Sequence, residues 1–191
     1  TWLAPVAFTR GFAGMRGAQV QAKDKQAQSR PARIIHIEPR LSLTAANADQ
    51  WFAPVPGTEP EVALAMAHAI LSKGQSPAPD AARLRDLLAA HSAAAVSSRV
   101  GLPAATIEKL AEEFARAKAS VAIGGGAAVS GERATELQMA VQVLNYVAGR
   151  IGTTVRLDAA FEAPVAAGAA EGKSLLDAMR AHGVSKFIFS S

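Results

Sequence analysis

The chain has 191 residues, half of them hydrophobic but only 5% aromatic, and a net charge of +4. That is enough apolar material for one domain, or one domain and a piece of another, and a stock dominated by Ala and Val favours helices packed closely on a sheet over an aromatic-rich β-sandwich. The absence of cysteine excludes disulfides, thiolate metal sites and iron–sulfur ligation by this chain, and no run reads as a transmembrane helix or a leader peptide.

The positive charge is uneven. Arg10, Arg16, Lys23, Lys25, Arg30, Arg33 and Arg40 stand against only Asp24 and Glu38 in the first forty positions. A phosphate-binding surface has this character, and so does a solvated basic loop, the plainer reading of residues 17–33. Nucleic acid is not expected, because no aromatics interleave with the basic residues. The opening Thr1-Trp2 lacks an initiator Met, which points to a start further upstream.

In chain order, Arg33 to Ile37 is a β-branched run that reads as a buried strand, stopped by Pro39. Trp51 to Val55 reads as a second, weaker strand. Thr58-Glu59-Pro60-Glu61 reads as a helix start, with Thr58 as cap and Glu61 completing a capping box. On that reading Glu61 serves only the cap. Val62, Met66, Ala69 and Ile70 form the apolar face of a helix near 60–71, and Lys73-Gly74 closes it. Asp80 opens a helix through Leu84, Leu87 and Leu88, and a second short helix ends at Gly101. Pro103 starts a helix near 103–117, with Ile107, Leu110, Ala111 and Phe114 at 3.6-residue spacing. Ser120 to Ile123 reads as a strand running into Gly124-Gly125-Gly126. A helix near 132–148 carries Leu137, Val141, Leu144 and Val147 on one side. Residues 158–172 read as loop, Ser174 to Ala181 as helix and Lys186 to Phe189 as a final strand.

Strands alternating with helices imply right-handed crossovers and a parallel sheet, whose ligands bind beyond the carboxyl ends of the strands. Glu38, Arg40, Gly57, Glu59 and the triple glycine all fall at such ends. A strand-end carboxylate can accept from ribose hydroxyls, an arginine beside it can pair with pyrophosphate, and a Gly-Thr turn opening a helix offers N–H groups to an anion. A carboxylate beside that turn can take two N–H bonds from a guanine edge. Glu61→Gln should then cost little in guanine-nucleotide affinity, because Glu61 serves only the cap. Each residue also has a plainer role: Glu38 as a surface acid, Arg40 as an ion pair, Glu59 as a favourable charge on the helix dipole. The glycine run lacks the third small residue of a dinucleotide fingerprint, since Val129 stands there. His36, His68, His91 and His182 have no ligand spacing, so no metal site is expected.

The order of these features resembles a known family. Glu38-Pro39-Arg40, Ser42, Thr44, Ala48-Asp49 and Pro56-Gly57-Thr58-Glu59 resemble the central segment of molybdopterin oxidoreductase large subunits, the dimethyl-sulfoxide-reductase-like family. VGLPAATIEKLAEEFARAKASVAIGGGAAVSG, LNYVAGRIGTTVR and SLLDAMRAHGVSKFIFSS resemble its next landmarks. The resemblance implies an α/β fold, a parallel Rossmann-like sheet flanked by helices and part of a larger multidomain subunit. Residues 1–157 would form that α/β domain without its first strand, 158–172 a linker, and 173–191 the entry to a neighbouring α/β domain.

The resemblance also implies a molybdopterin guanine dinucleotide cofactor. Glu38 would face ribose and Glu59 guanine. Arg40, Ser42 and Thr44 would lie near phosphate or shape the turn, with Gly57, Thr58, Gly125 and Gly126 completing the site. Both acids are Glu where the family has Asp, so each reaches one methylene further. The Trp2-Leu3-Ala4-Pro5-Val6 opening and the Gly152-Thr153-Thr154-Val155-Arg156 exit look most like the subunits of membrane quinone oxidoreductases such as alternative complex III and menaquinone reductase. This implies an oxidoreductase subunit in a membrane-associated respiratory complex, at its periplasmic face. Its partners would be the remaining domains of the subunit, an iron–sulfur subunit and a membrane quinone-binding subunit. The alternative is a cofactor-free scaffold domain in such a complex. The isolated chain is expected to have no redox activity, and turnover of a quinol without added cofactor would overturn that expectation.

Overall fold

The computed structural model describes residues 11–13, 32–125 and 132–156. The chain divides into two compact units, one of Thr1–Ala32 with Ala160–Ser191 and one of Arg33–Ala159. In the first unit, residues 11–13 are helical. The expected strand at 186–189, the helix at 174–181, the loop at 158–172 and Gly126 lie outside the described residues, as do the polar stretch 17–31 and Trp2. The second unit is an α/β arrangement whose described ladder is one pair of parallel strands flanked by helices.

Strand β1 (Ile35–Ile37) and strand β2 (Gln50–Phe52) pair in parallel, with His36 opposite Trp51. Both are shorter than their apolar runs. Pro54 has no N–H for a ladder, and the Val55 N–H leaves the sheet to reach the Val100 carbonyl at 3.0 Å. The crossover holds one helical turn, α1 (Leu43–Ala46), capped by Ser42, whose Oγ accepts from the Ala45 N–H at 3.2 Å. No periodicity in the sequence around Ser42 and Thr44 predicts this turn. Four residues show no helical period, so only the cap signals it.

Helix α2 (Glu59–Ser72) is the centre of the unit. Ala63, Ala65, Ala67 and Ala69 are buried together with Val62, Met66, Ile70 and Leu71, so the helix is covered on nearly every side. A helix apolar all round has no exposed stripe, and its small residues let neighbours approach closely. It closes at Gly74, with Gln75 N–H bonding to the Ile70 carbonyl and Gly74 N–H to that of Leu71. This is the paired closure expected where a glycine follows a helix.

Three longer helices and one short one surround it. Helix α3 (Ala81–Leu87) buries no residue fully, and a 3₁₀ turn (Ala89–His91) follows. Helix α4 (Ala93–Val100) buries Ala93, Val96 and Val100. Helix α5 (Ala104–Arg116) buries Ile107, Leu110 and Ala111, the stripe read from its spacing. Helix α6 (Ala134–Val147) buries Leu137, Ala140, Val141, Leu144, Asn145 and Val147. Burying Ile70 and Ile107 completely stabilises the fold by roughly 1.5–3 kcal/mol each before entropy is counted.

The expected strand at Ser120–Ile123 requires correction. Residues 121–125 join no ladder. Instead the Ala122 N–H donates to Asn145 Oδ1 and the Ala122 carbonyl accepts from Asn145 Nδ2, both at 2.9 Å. A primary amide carries one acceptor and two donors, so a single side chain does the work of a strand neighbour. Asn145 is fully buried to do this.

Arg150 performs a similar service for α5. Its Nη2 donates to the carbonyls of Phe114, Ala115 and Ala117 at 3.1, 2.9 and 2.9 Å, and its guanidinium lies 5.9 Å from the Phe114 ring centre. The last carbonyls of a helix lack internal partners and carry negative partial charge, which a cation satisfies. Beside it, Gly149 sits at φ +70°, where a Cβ would lie 2.5 Å from Pro77 Cγ. Only glycine fits that turn.

Candidate functional site

Parallel pairing sends the carboxyl ends of β1 and β2 to one edge. Glu38-Pro39-Arg40 leaves β1 there, and Pro56-Gly57-Thr58 leaves the run beyond β2 and enters α2. The two motifs therefore follow neighbouring strands on the same side of the sheet.

At the β1 end the side chains satisfy one another. Glu38 Oε2 lies 3.0 Å from His36 Nε2, and the Trp51 indole N–H donates to the Glu38 carbonyl at 2.8 Å. The Glu38 N–H in turn reaches the Phe52 carbonyl at 3.1 Å. A hydrogen bond from Ser42 is the largest influence on the Glu38 carboxyl. With His36 and Arg40 it outweighs burial and holds the group below the usual carboxylate range. Arg40 and Thr44 are exposed. Ser42 is thus both a helix cap and a partner of Glu38.

At the β2 end the turn is held from two sides. Gly57 has φ +81° and nothing within 4 Å of the space a Cβ would fill, so the position asks for glycine through its backbone angle alone. Thr58 occupies the N-cap position of α2, but its hydroxyl does not cap the helix. It donates to the Val55 carbonyl at 2.6 Å, doubling the Thr58 N–H bond to the same oxygen at 3.1 Å. The expected capping box is therefore absent.

Glu61 does something else. One of its oxygens accepts from Arg99 Nε at 2.9 Å, and the other lies 3.4 Å from Arg133 Nη1. Arg133 Nη1 also donates to the Gly57 carbonyl at 2.8 Å, while its Nε bonds Glu136 Oε2 at 2.7 Å. Burial by itself would push the Glu61 carboxyl up. The Arg99 bond and then the Arg133 bond outweigh it and hold the group below the usual range. Arg99, Arg133 and Glu136 were not singled out from sequence. They lie on α4 and at α6, and no local spacing connects them to the turn.

The network gives Glu61 a stabilising role that a cap alone would not. Replacing it by Gln should cost about 1 kcal/mol, since its two arginines are partly solvated and each exposed pair is worth a fraction of that. A carboxyl whose folded pKa is depressed contributes stability above its unfolded pKa and loses it as pH falls through the folded one. The gap between parent and Glu61→Gln in urea unfolding should be full at neutral pH and close in acid. A gap independent of pH would remove the ionic explanation.

Glu59 is the outlier of the group. It is only 8% exposed, the sole buried acid of the described residues, and among them it forms no hydrogen bond or ion pair. Its stem is packed away while its carboxylate oxygens keep access to solvent, so the charged end is free to take a ligand. Gly125 is exposed and follows Gly124, where an added Cβ would lie 2.9 Å from Gln138 Nε2. An open hollow of about 250 Å³ adjoins that segment, lined by Val121, Ile123 and Val155 as well as by Gln138, Gln142 and Thr154. The structure thus brings Glu38, Arg40 and Ser42 into one cluster and sets Gly57, Thr58 and Glu59 in a second. Gly125 lies at the end of a third segment.

Over 121 residues, 63% of this chain, the sequence is 35% identical to the menaquinone reductase, molybdopterin-binding-like subunit of Nitratidesulfovibrio vulgaris. The chain is thus similar, over this stretch, to a molybdopterin-binding-like subunit. It spans 17% of that relative's length. No family model matches the chain. Acetylene hydratase from Pelobacter acetylenicus has the same fold in this region, with a TM-score of 0.57 at 20% identity over 64% of this chain and 18% of that one. The resemblance read from the Glu-Pro-Arg to Pro-Gly-Thr-Glu order is therefore borne out at the level of family.

Proposed function

We propose that this chain is a cofactor domain of a molybdopterin-oxidoreductase-like electron-transfer subunit, whose β1–β2 rim takes the guanine-dinucleotide part of the cofactor. Glu59 carries the proposal: a largely buried residue whose carboxylate oxygens still reach solvent and have no protein partner among the described residues, one residue beyond a turn already fixed by its own bonds. A guanine edge offers two N–H donors, which is the complement such a group needs. When bound, the cofactor would supply two-electron chemistry at its metal.

The remaining residues would bind and orient. Gly57 and Thr58 shape the approach to Glu59. Arg40, exposed at the end of β1, can pair with pyrophosphate, and Thr44 can donate to it. Gly125 and Gly126 permit close backbone approach. Glu38 would accept from ribose with the carboxylate capacity left by Ser42 and His36. In this reading residues 1–157 form a Rossmann-like domain, with 158–172 linking it to a neighbouring α/β domain entered by 173–191.

The subunit would work in a membrane-associated respiratory complex, at the periplasmic face, beside an iron–sulfur subunit and a membrane quinone-binding subunit. The matched relative is named for a menaquinone reductase. Among the described residues no helix is long and apolar enough to cross a membrane. A cofactor-free scaffold role in the same complex is the second reading. Its support is Glu38, whose carboxylate is already engaged by Ser42 and His36.

Calorimetry with GDP separates the two. Glu59→Gln keeps the shape but turns one acceptor into a donor facing guanine N–H, and should weaken binding by roughly ten- to a hundredfold, the worth of a charge-assisted bond. Glu108→Gln, exposed on α5, should leave it unchanged. Equally weak binding by parent and both variants would favour the scaffold.

A further inference from the structure

We infer that Arg133 is a positioning residue for the nucleotide site, holding the Gly57 peptide so that Glu59 is presented to the base. This rests on the nucleotide reading of the rim and extends it to a residue that no motif marks. Arg133 lies at the start of α6, yet its Nη1 reaches across 76 positions to the Gly57 carbonyl at 2.8 Å.

The turn has few degrees of freedom left once that bond is made. The Thr58 N–H and hydroxyl both point back to the Val55 carbonyl, which fixes one side of the Gly57–Thr58 peptide. Arg133 fixes the other side through the carbonyl. What remains unpaired among the described residues at the mouth of α2 is the Glu59 carboxylate, and the direction in which it faces depends on where the turn sits.

The guanidinium is itself oriented. Glu136 takes Nε at 2.7 Å and Glu61 lies 3.4 Å from Nη1, so the fork is held in one direction. Arg99 holds the other oxygen of Glu61 at 2.9 Å. A fixed planar fork suits this role better than a flexible ammonium. Glycine at φ +81° supplies the flexibility that makes such a restraint necessary. Arg133 also begins the helix that follows the glycine segment 124–125, so the same bond ties that helix start to the mouth of α2.

The test uses the 191-residue chain with GDP as the probe. Arg133→Gln should weaken GDP binding by about tenfold, the loss expected of one charge-assisted bond acting through the turn. In a Glu59→Gln background it should add little, because both changes act on the same contact. Arg133→Lys, which can still donate to the Gly57 carbonyl, should recover part of the affinity. Without nucleotide, amide exchange at Thr58 should quicken in Arg133→Gln, while an interior α2 amide such as that of Ala67 should hold its rate.

Two results would overturn the inference. Unchanged exchange at Thr58 removes the positioning role whether or not the chain binds GDP. Fully additive losses in the double variant show that Arg133 acts independently of Glu59. A parent that binds no GDP, with exchange at Thr58 still quickened by Arg133→Gln, instead rejects the nucleotide reading while leaving Arg133 as the restraint on the turn.

Discussion

Asn145→Leu is expected to destabilise the chain by about 2–6 kcal/mol, since it strands two backbone groups at roughly 1–3 kcal/mol each. The Ala122 N–H and carbonyl have Asn145 as their partner, and the amide is fully buried. Leucine keeps the approximate volume and supplies neither bond. Asn145→Asp makes a sharper test. A neutral carboxyl has both a donor and an acceptor and can restore the pair, whereas a buried carboxylate lacks the donor and is costly. Its folded pKa would stand above the unfolded value, so its stability is greatest below the unfolded pKa and is lost as pH rises through the folded one. Urea midpoints of Asp variant and parent should therefore converge in acid and diverge toward neutrality. A constant difference between them would show that the Ala122 contact contributes little.

Ile70→Ala should cost about 2–5 kcal/mol, the usual range for emptying a fully packed site. Ile70 lies on α2, which every longer helix of the unit touches, so the surroundings have little freedom to collapse into the space. Met139→Ala on α6 makes the contrast. Met139 is 65% exposed, and its loss should stay within about 0.5 kcal/mol. Comparable midpoint shifts for the two in urea would mean that α2 is not the centre of the packing.

The same residues show why some of the fold and site was legible in the sequence. Helix α5 was read from Ile107, Leu110 and Ala111, whose spacing alone puts them on one face. Gly74 and Gly101 marked helix ends because a closing turn needs a residue at positive φ, and both have it. The strand-end motifs were likewise local, and their order along the chain carried the likeness. Where local signals conflicted, position in the fold decided. Thr58 had the composition of a capping box, but its hydroxyl found the Val55 carbonyl and Glu61 found two arginines.

What the sequence by itself determined was therefore the sequence-local part: helix faces, helix ends, two short strands and the likeness that their order carries. Periodicity and capping act within a few residues, so they can be read without knowing the fold. The tertiary structure alone decided which polar groups meet. Asn145 finds Ala122 across 23 positions, Arg99 finds Glu61 across 38 and Arg133 finds Glu61 across 72. It also decided that Glu59 is largely packed away with no partner among the described residues while Glu38 is satisfied. Such contacts depend on how helices pack around α2, and no spacing rule along the chain encodes a hydrogen bond between segments that only packing brings together.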